Sequence, residues 1–365
     1  MKFVFASYIS TRGFTDPGAW IERIGIYTGM LETLAKKNDV TSIEQIAYEG
    51  KYEKAGVNYI FKQYSRAGLL FPIRLNKFIL AQKPEVIVIQ SFQFPLQVIQ
   101  LRLLARKKIK IIVQNHAERP MKGLKKYAQR LADRCIDAYL FASHELGVEW
   151  VVNGNIASAR KIHEVMEVSS VFSPIDKELA RQHTGVHGDP VFLWVGRLNA
   201  NKDPITVVKA FLRFAEVKSS ARLYMLYHTE ELLEQLKDLL DTSPQKDNVI
   251  LVGRLPHSQL QDWFNGADVI LSGSHYEGSG TAVCEAMSCG CMPLVTDIAS
   301  FRMITNRGKC GLLYEPGNEE ALLSALKKTI EIDLDEKQKL SLDHFKTTLS
   351  FGAIASKIHQ IAASL

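Results

Sequence analysis

The stretch HYEGSGTAVCEAMSCG, residues 275–290, holds two carboxylates, Glu277 and Glu285, with seven residues between them. Gly278, Ser279 and Gly280 follow the first, and a run with helical character carries the second. Glycine lets a backbone come close to a ligand and take dihedral angles other residues avoid. A helix beginning near Gly280 presents unpaired N–H groups, with the Thr281 hydroxyl as a further donor, and so offers a seat for phosphate. Glu285 lies four residues beyond Thr281, so the two share a helix face. A carboxylate there can accept two hydrogen bonds from a vicinal diol such as a ribose. Glu277, on the other side of the phosphate seat, is left facing whatever the phosphate carries. The spacing suits a gripped ligand better than a pair of proton-transfer groups.

A second stretch, VFLWVGRLNANKDP (191–204), supplies positive charge through Arg197 and Lys202. Cations at the carboxyl end of a strand and before a helix are poised for a diphosphate. Fixed donors of this kind stabilise a departing diphosphate without a metal ion. Asp203 reads as the cap of the following helix, with Pro204 in its first turn.

These residues need a scaffold, and the rest of the chain describes one. Apolar runs at 2–7, 85–90, 110–115, 137–142, 191–196, 221–227, 248–253, 267–273 and 291–296 lack clean alternation, as strands covered on both faces do. Amphipathic segments at 20–37, 204–215, 257–265 and 319–330 lie between them. Alternating strand and helix predicts an α/β chain of two doubly wound, Rossmann-like domains facing across a cleft, with ligands beyond the carboxyl ends of the strands. The polar stretch 173–190 reads as the linker, giving an N-terminal acceptor domain over 1–178 and a C-terminal donor domain over 188–348. The final segment, 351–365, has apolar residues at helical spacing and needs a surface to pack on.

The motifs resemble those of the retaining, nucleotide-sugar-dependent glycosyltransferases of family four, which have the GT-B fold. GRLNANKD (196–203), ADVILSGSHYEGSGTAVCEAMSCG (267–290) and GKCGLLYEPGNEEAL (308–322) carry the likeness, with looser matches at 17–36, 83–91, 113–116 and 137–143. The resemblance implies that Arg197 and Lys202 bind the donor diphosphate and Glu285 the ribose hydroxyls. It gives Glu277 the donor sugar or its developing positive charge, and the backbone of Gly278, Ser279, Gly280 and Thr281 the phosphates and sugar. It places His116 in the sugar pocket, Gly18 in a glycine loop over the diphosphate and Arg254 near the nucleobase, and it returns the 351–365 helix to the N-terminal domain. Family members need no metal and no cofactor. Four departures stand out: Ser279 replaces a bulky aromatic, Thr281 to Cys284 stand where aliphatic residues are common, Pro17-Gly18-Ala19 replaces paired glycines, and His228-Thr229-Glu230 replaces a glycine turn.

Composition narrows the rest. The five cysteines form no regular framework, which fits reduced thiols in a cytoplasmic protein, and Cys289-Gly-Cys291 reads as a buried turn in place of a metal site. The opening MKFVFAS reads as a first strand, and no apolar run approaches the ~20 residues that span a bilayer. Net charge is +6, yet residues 102–134 hold eleven basic residues against Glu118 and Asp133, a local +9. Within it, Leu124, Tyr127, Ala128 and Leu131 share a helix face. That helix either packs this face on the N-terminal sheet or lies on an anionic membrane. Nucleic acid is not an expected partner, since no recognition motif or stacking platform accompanies the charge.

The expected function is transfer of a sugar from a nucleotide-diphosphate-sugar donor to a saccharide or lipid-linked acceptor, with retention, in polysaccharide or glycolipid synthesis. The competing readings are an epimerase or hydrolase of the same donor, and a non-catalytic subunit that keeps the pocket.

Overall fold

The computed structural model describes residues 1–365, the side chain of Arg66 excepted. The chain divides into two compact units, Met1–Ser169 with Phe351–Leu365, and Ser170–Ser350. In the first unit, β1 (Lys2–Ser7), β2 (Asp39–Glu44), β3 (Gly50–Lys54), β4 (Val57–Phe61), β5 (Val86–Gln90), β6 (Lys110–Gln114), β7 (Ala138–Phe141) and β8 (Ile162–Glu164) form one sheet. Their order is β3-β4-β2-β1-β5-β6-β7-β8. All pairings are parallel except the β3–β4 hairpin, whose two-residue turn, Ala55-Gly56, has both φ values positive, as such turns demand.

The second unit holds β9 (Val191–Gly196), β10 (Arg222–Tyr227), β11 (Val249–Gly253), β12 (Val269–Ser272), β13 (Met292–Thr296) and β14 (Leu312–Tyr314), in the order β11-β10-β9-β12-β13-β14. Its strands are parallel throughout. Helix Pro204–Val217 covers one face, where Phe211 and Phe214 pack edge-on against Phe192 of β9, all three fully buried. Each such ring removes enough apolar area from water to stabilise the fold by about 1.5–3 kcal/mol.

Both sheets reverse direction next to their first strand. The chain leaves β1 toward β2 and returns to lie against β5 on the other side. It leaves β9 toward β10 and returns to β12. The loops beyond β1 and β5, and beyond β9 and β12, therefore part at the carboxyl ends, which opens a crevice at each switch point.

The strands read from sequence are present, with β2, β3, β4, β8 and β14 added. Three expectations need correction. The 173–190 stretch is not a linker: it contains helix Lys177–Thr184, capped by Asp176 and Gly185 and tied to the second sheet by Lys177 and Arg181 on Asp268. The expected 20–37 helix is two, Pro17–Arg23 and Gly25–Ala35, divided at Ile24. The 123–132 helix does not pack its apolar face on the sheet. It buries Gln129 and Ala132, with Gln129 donating to the Tyr139 hydroxyl at 3.3 Å and that hydroxyl donating to Asp133 at 3.0 Å. A polar anchor sets its rotation and turns Leu124, Tyr127 and Leu131 outward. The last helix, Phe351–Ser364, packs on Gly25–Ala35 within the first unit, where a Cβ on Gly29 would stand 2.5 Å from the Phe351 ring. No helix among the described residues is long and apolar enough to cross a membrane.

Candidate functional site

At the second sheet's switch point, the loops after β9 and β12 are laced together. His275 N donates to Asn201 O at 2.8 Å, and Asn201 Nδ2 donates to Tyr276 O at 3.0 Å. Gly273 makes the approach possible, since a Cβ there would lie 3.1 Å from the backbone oxygens of Lys202 and Asp203. Asn199 turns the first loop by accepting from the Lys202 and Asp203 amides. Asp203 then caps helix Pro204–Val217 from a left-handed conformation, φ 43°, and also pairs with His275 at 3.3 Å. That backbone geometry is costly for a non-glycine residue and is held by the surrounding contacts.

This lacing brings Lys202 onto Glu277, an ion pair between residues 75 apart in sequence. Both side chains are largely buried. They share a recess with Gly280, Ala282, Val283 and Phe301. Gly280 caps helix Thr281–Ser288 at φ 54°, and a Cβ there would meet the Phe301 ring at 2.7 Å. Only glycine fits, for strain and for space. The amide-rich start of that helix, with Ser279 buried before it and Thr281 at its first position, thus opens beside a cation and an anion held together. Arg197, at the mouth of the same loop, is exposed, and its guanidinium has no hydrogen-bond or ion-pair partner among the described residues.

Glu285 lies on the inner side of the helix, only 4% exposed. Its Oε1 is 2.7 Å from His257 Nε2, and the His257 ring lies over Phe172 with centroids 4.8 Å apart. The expectation of an open carboxylate sharing a face with Thr281 is therefore modified. Glu285 reaches the surface through His257, so a diol would have to join or displace that imidazole. Arg254, exposed, precedes His257 in the same loop after β11. Sequence reasoning missed His257, which carried no signal beyond its place after a strand. It also missed Asn199 and the second role of Asp203.

The first unit furnishes its own switch point. A cavity of about 410 Å³ is lined by Tyr8, Ser10 and Arg12 beyond β1, Phe94 and Gln97 beyond β5, and Leu69 and Leu70. The Ser10 hydroxyl is buried without a hydrogen-bond partner among the described residues, and Arg12 is exposed and unpaired there. His116, also in this unit, sits 2.5 Å from Glu167 through Nδ1 and 2.6 Å from Gln90 Oε1 through Nε2. Burial pulls its pKa down, but the hydrogen bond and charge of Glu167, aided by Glu118, raise it by more, so it titrates above its ordinary 6.5. Gly18 lies within helix Pro17–Arg23, whose cap, Asp16, accepts from Ala19 N at 2.6 Å; it is not part of a free loop. Cys289 and Cys291 donate to backbone carbonyls, and burial pushes the Cys289 thiol up to about 12, which is no setting for a thiolate ligand.

Comparison with known proteins bears on the family and the fold. Residues 176–341 match the family model described as Glycosyl transferases group 1. Over 157 residues the chain is 29% identical to the mannosylfructose-phosphate synthase of Agrobacterium fabrum, a stretch covering 41% of this chain and 34% of that protein. The match thus spans about a third of that relative's length. Two solved structures align over the whole chain: a glycosyltransferase from Rickettsia africae (TM-score 0.76, 15% identity, 98% of that chain) and HepE from Anabaena in complex with UDP (TM-score 0.73, 14% identity, 100% of that chain). At such identities the likeness speaks for the fold, the two-Rossmann-domain GT-B fold. The second unit of this chain carries a Glycosyl transferases group 1 domain.

Proposed function

We propose that the protein transfers a sugar from a nucleoside-diphosphate donor to an acceptor hydroxyl with retention at the anomeric carbon. The observation that carries this reading is the Lys202–Glu277 pair beside the glycine-capped start of helix Thr281–Ser288. A donor diphosphate competes with Glu277 for the Lys202 ammonium and gains the free helix amides and Arg197 as well. Taking the ammonium leaves the Glu277 carboxylate to the donor sugar. The bond from the anomeric carbon to the diphosphate oxygen breaks, with its electron pair leaving on phosphate. Glu277 stabilises the positive charge that develops on the sugar, while Lys202 and Arg197 stabilise the departing anion. The acceptor oxygen bonds on the same face and yields its proton to the departing phosphate. The scheme calls for no metal ion, since fixed cations fill that role.

Glu285 and His257 hold the ribose hydroxyls in this reading, and Arg254 flanks the base. The first unit's cavity suits the acceptor: Ser10 and Arg12 offer polar contacts, and Leu69, Leu70 and Phe94 offer apolar wall. A saccharide or lipid-linked acceptor fits such mixed chemistry, and its product would be a polysaccharide or a glycolipid. The UDP bound by HepE supports a nucleotide donor.

A thermal-shift panel of UDP, GDP, ADP and dTDP tests the donor site. A nucleotide at 100 times its dissociation constant raises stability by about 2.7 kcal/mol. No shift with any of them overturns the reading. Donor consumed without acceptor would instead identify an epimerase or hydrolase, and binding without turnover a non-catalytic subunit.

A further inference from the structure

The basic segment of the first unit is left unused by sugar transfer, and its two acids do not neutralise it. Glu118 is spent on Ser91 Oγ at 2.5 Å, His116 N at 2.6 Å and Phe92 N at 3.1 Å. Asp133 is buried, accepting from Tyr139 and from Ala157 N. Lys122, Lys125, Lys126 and Arg130 pair with no carboxylate among the described residues. Between these cations, helix Gly123–Ala132 exposes Leu124 at 88%, Tyr127 at 72% and Leu131 at 51%. The adjoining helix, Pro95–Leu104, carries Leu103 in its last turn, exposed at 80%.

Leaving three large apolar side chains in water on one stripe is unfavourable, and cations without a carboxylate partner beside them add self-repulsion. One class of surface relieves both. We propose that this helix face docks on an anionic lipid bilayer, independently of the sugar-transfer reading. Leu124, Tyr127 and Leu131 enter the boundary between head groups and acyl chains, and the lysines and Arg130 reach up to lipid phosphates. A helix of this length, about 15 Å, lies in the plane of the interface and cannot cross it. A protein partner fits less well, because interface cores are depleted of lysine. Nucleic acid fits less well again, because the exposed side chains between the cations are leucines and one tyrosine, not a stacking platform.

Flotation of the full chain with vesicles tests this. Phosphatidylcholine vesicles with and without phosphatidylglycerol are compared at low and high salt. Binding is expected to be about tenfold or more stronger on the anionic vesicles at low salt, and to fall as salt screens the cations. Lys122→Glu with Lys125→Glu should reduce it at least about tenfold. Leu124→Ser with Tyr127→Ser should also abolish most of it, while both variants keep the wild-type thermal midpoint because all four side chains are exposed. Equal binding to neutral and anionic vesicles, or unchanged binding by either variant, overturns the proposal. So does a dimer in sedimentation that the Leu124→Ser, Tyr127→Ser variant dissolves.

Discussion

The two sheets share a switch-point topology and furnish it in opposite ways. Beyond β9 and β12, the loops are stitched by hydrogen bonds and close on an ion pair, Lys202 with Glu277, next to a glycine that tolerates no side chain. Beyond β1 and β5, the Tyr8 and Phe94 rings meet edge-on and the loops line a cavity of about 410 Å³ in which the Ser10 hydroxyl and the Arg12 side chain have no partners among the described residues. One crevice is preorganised, with its charges fixed before anything binds. The other leaves room and unsatisfied groups. A preorganised site suits the ligand on which charge develops; a roomier one suits a ligand that must be held and released.

If that contrast is right, substitutions at the two crevices should fail differently. The largest effect is expected at the ion pair. Glu277→Gln should lower kcat by about 10²–10³, the scale of losing one fixed charge-stabilising group, while UDP binding in the thermal-shift assay stays at or above wild type because Lys202 is released. Lys202→Ala should lose both. Weakened UDP binding in Glu277→Gln would break the competition argument. Next comes Gly280→Ala, which forces a Cβ to 2.7 Å from the Phe301 ring at φ 54°. It should destabilise the protein by about 1–3 kcal/mol, read as a lowered urea midpoint; an unchanged midpoint would mean the helix start is not under this constraint.

Arg12→Ala probes the other crevice. It should raise KM for the acceptor by about tenfold, the cost of one charged hydrogen bond, and leave KM for the donor unchanged. A shift in donor KM would erase the division of labour. The smallest effect concerns His116. Its pKa is raised in the folded protein, so its pairing with Glu167 contributes stability that is fully present below pH 6.5 and lost as pH rises through the raised value. Thermal midpoints measured upward from that pH should fall more steeply for wild type than for His116→Gln. Parallel curves would show that the pair carries no pH-dependent stability.

The central parallel strands were legible because both faces are covered and their sequences are near-continuous apolar runs. Three of the five missed strands lack that mark: β3, GKYEK, is an exposed edge strand, and β8 and β14 are three residues long. The capping of Pro204–Val217 by Asp203 was legible because cap and proline are adjacent. The 177–184 helix was hidden by its composition, since a short helix with one buried residue, Ala180, reads as a polar linker. The 123–132 helix misled in the other direction. Its periodicity named an apolar face correctly, but periodicity does not say which face meets the sheet.

By itself, then, the sequence determined the alternation of strand and helix, the glycine that must cap Thr281–Ser288, and the residue types gathered in two short motifs. These follow from local rules: hydrophobic period, φ, and the geometry of one turn. Only the tertiary structure decided that Lys202 meets Glu277, that His257 occupies Glu285 and His116 pairs with Glu167, and that Leu124, Tyr127 and Leu131 point outward. Each depends on strand order and crossover register, which bring together groups tens of residues apart, and no window of local sequence carries that information.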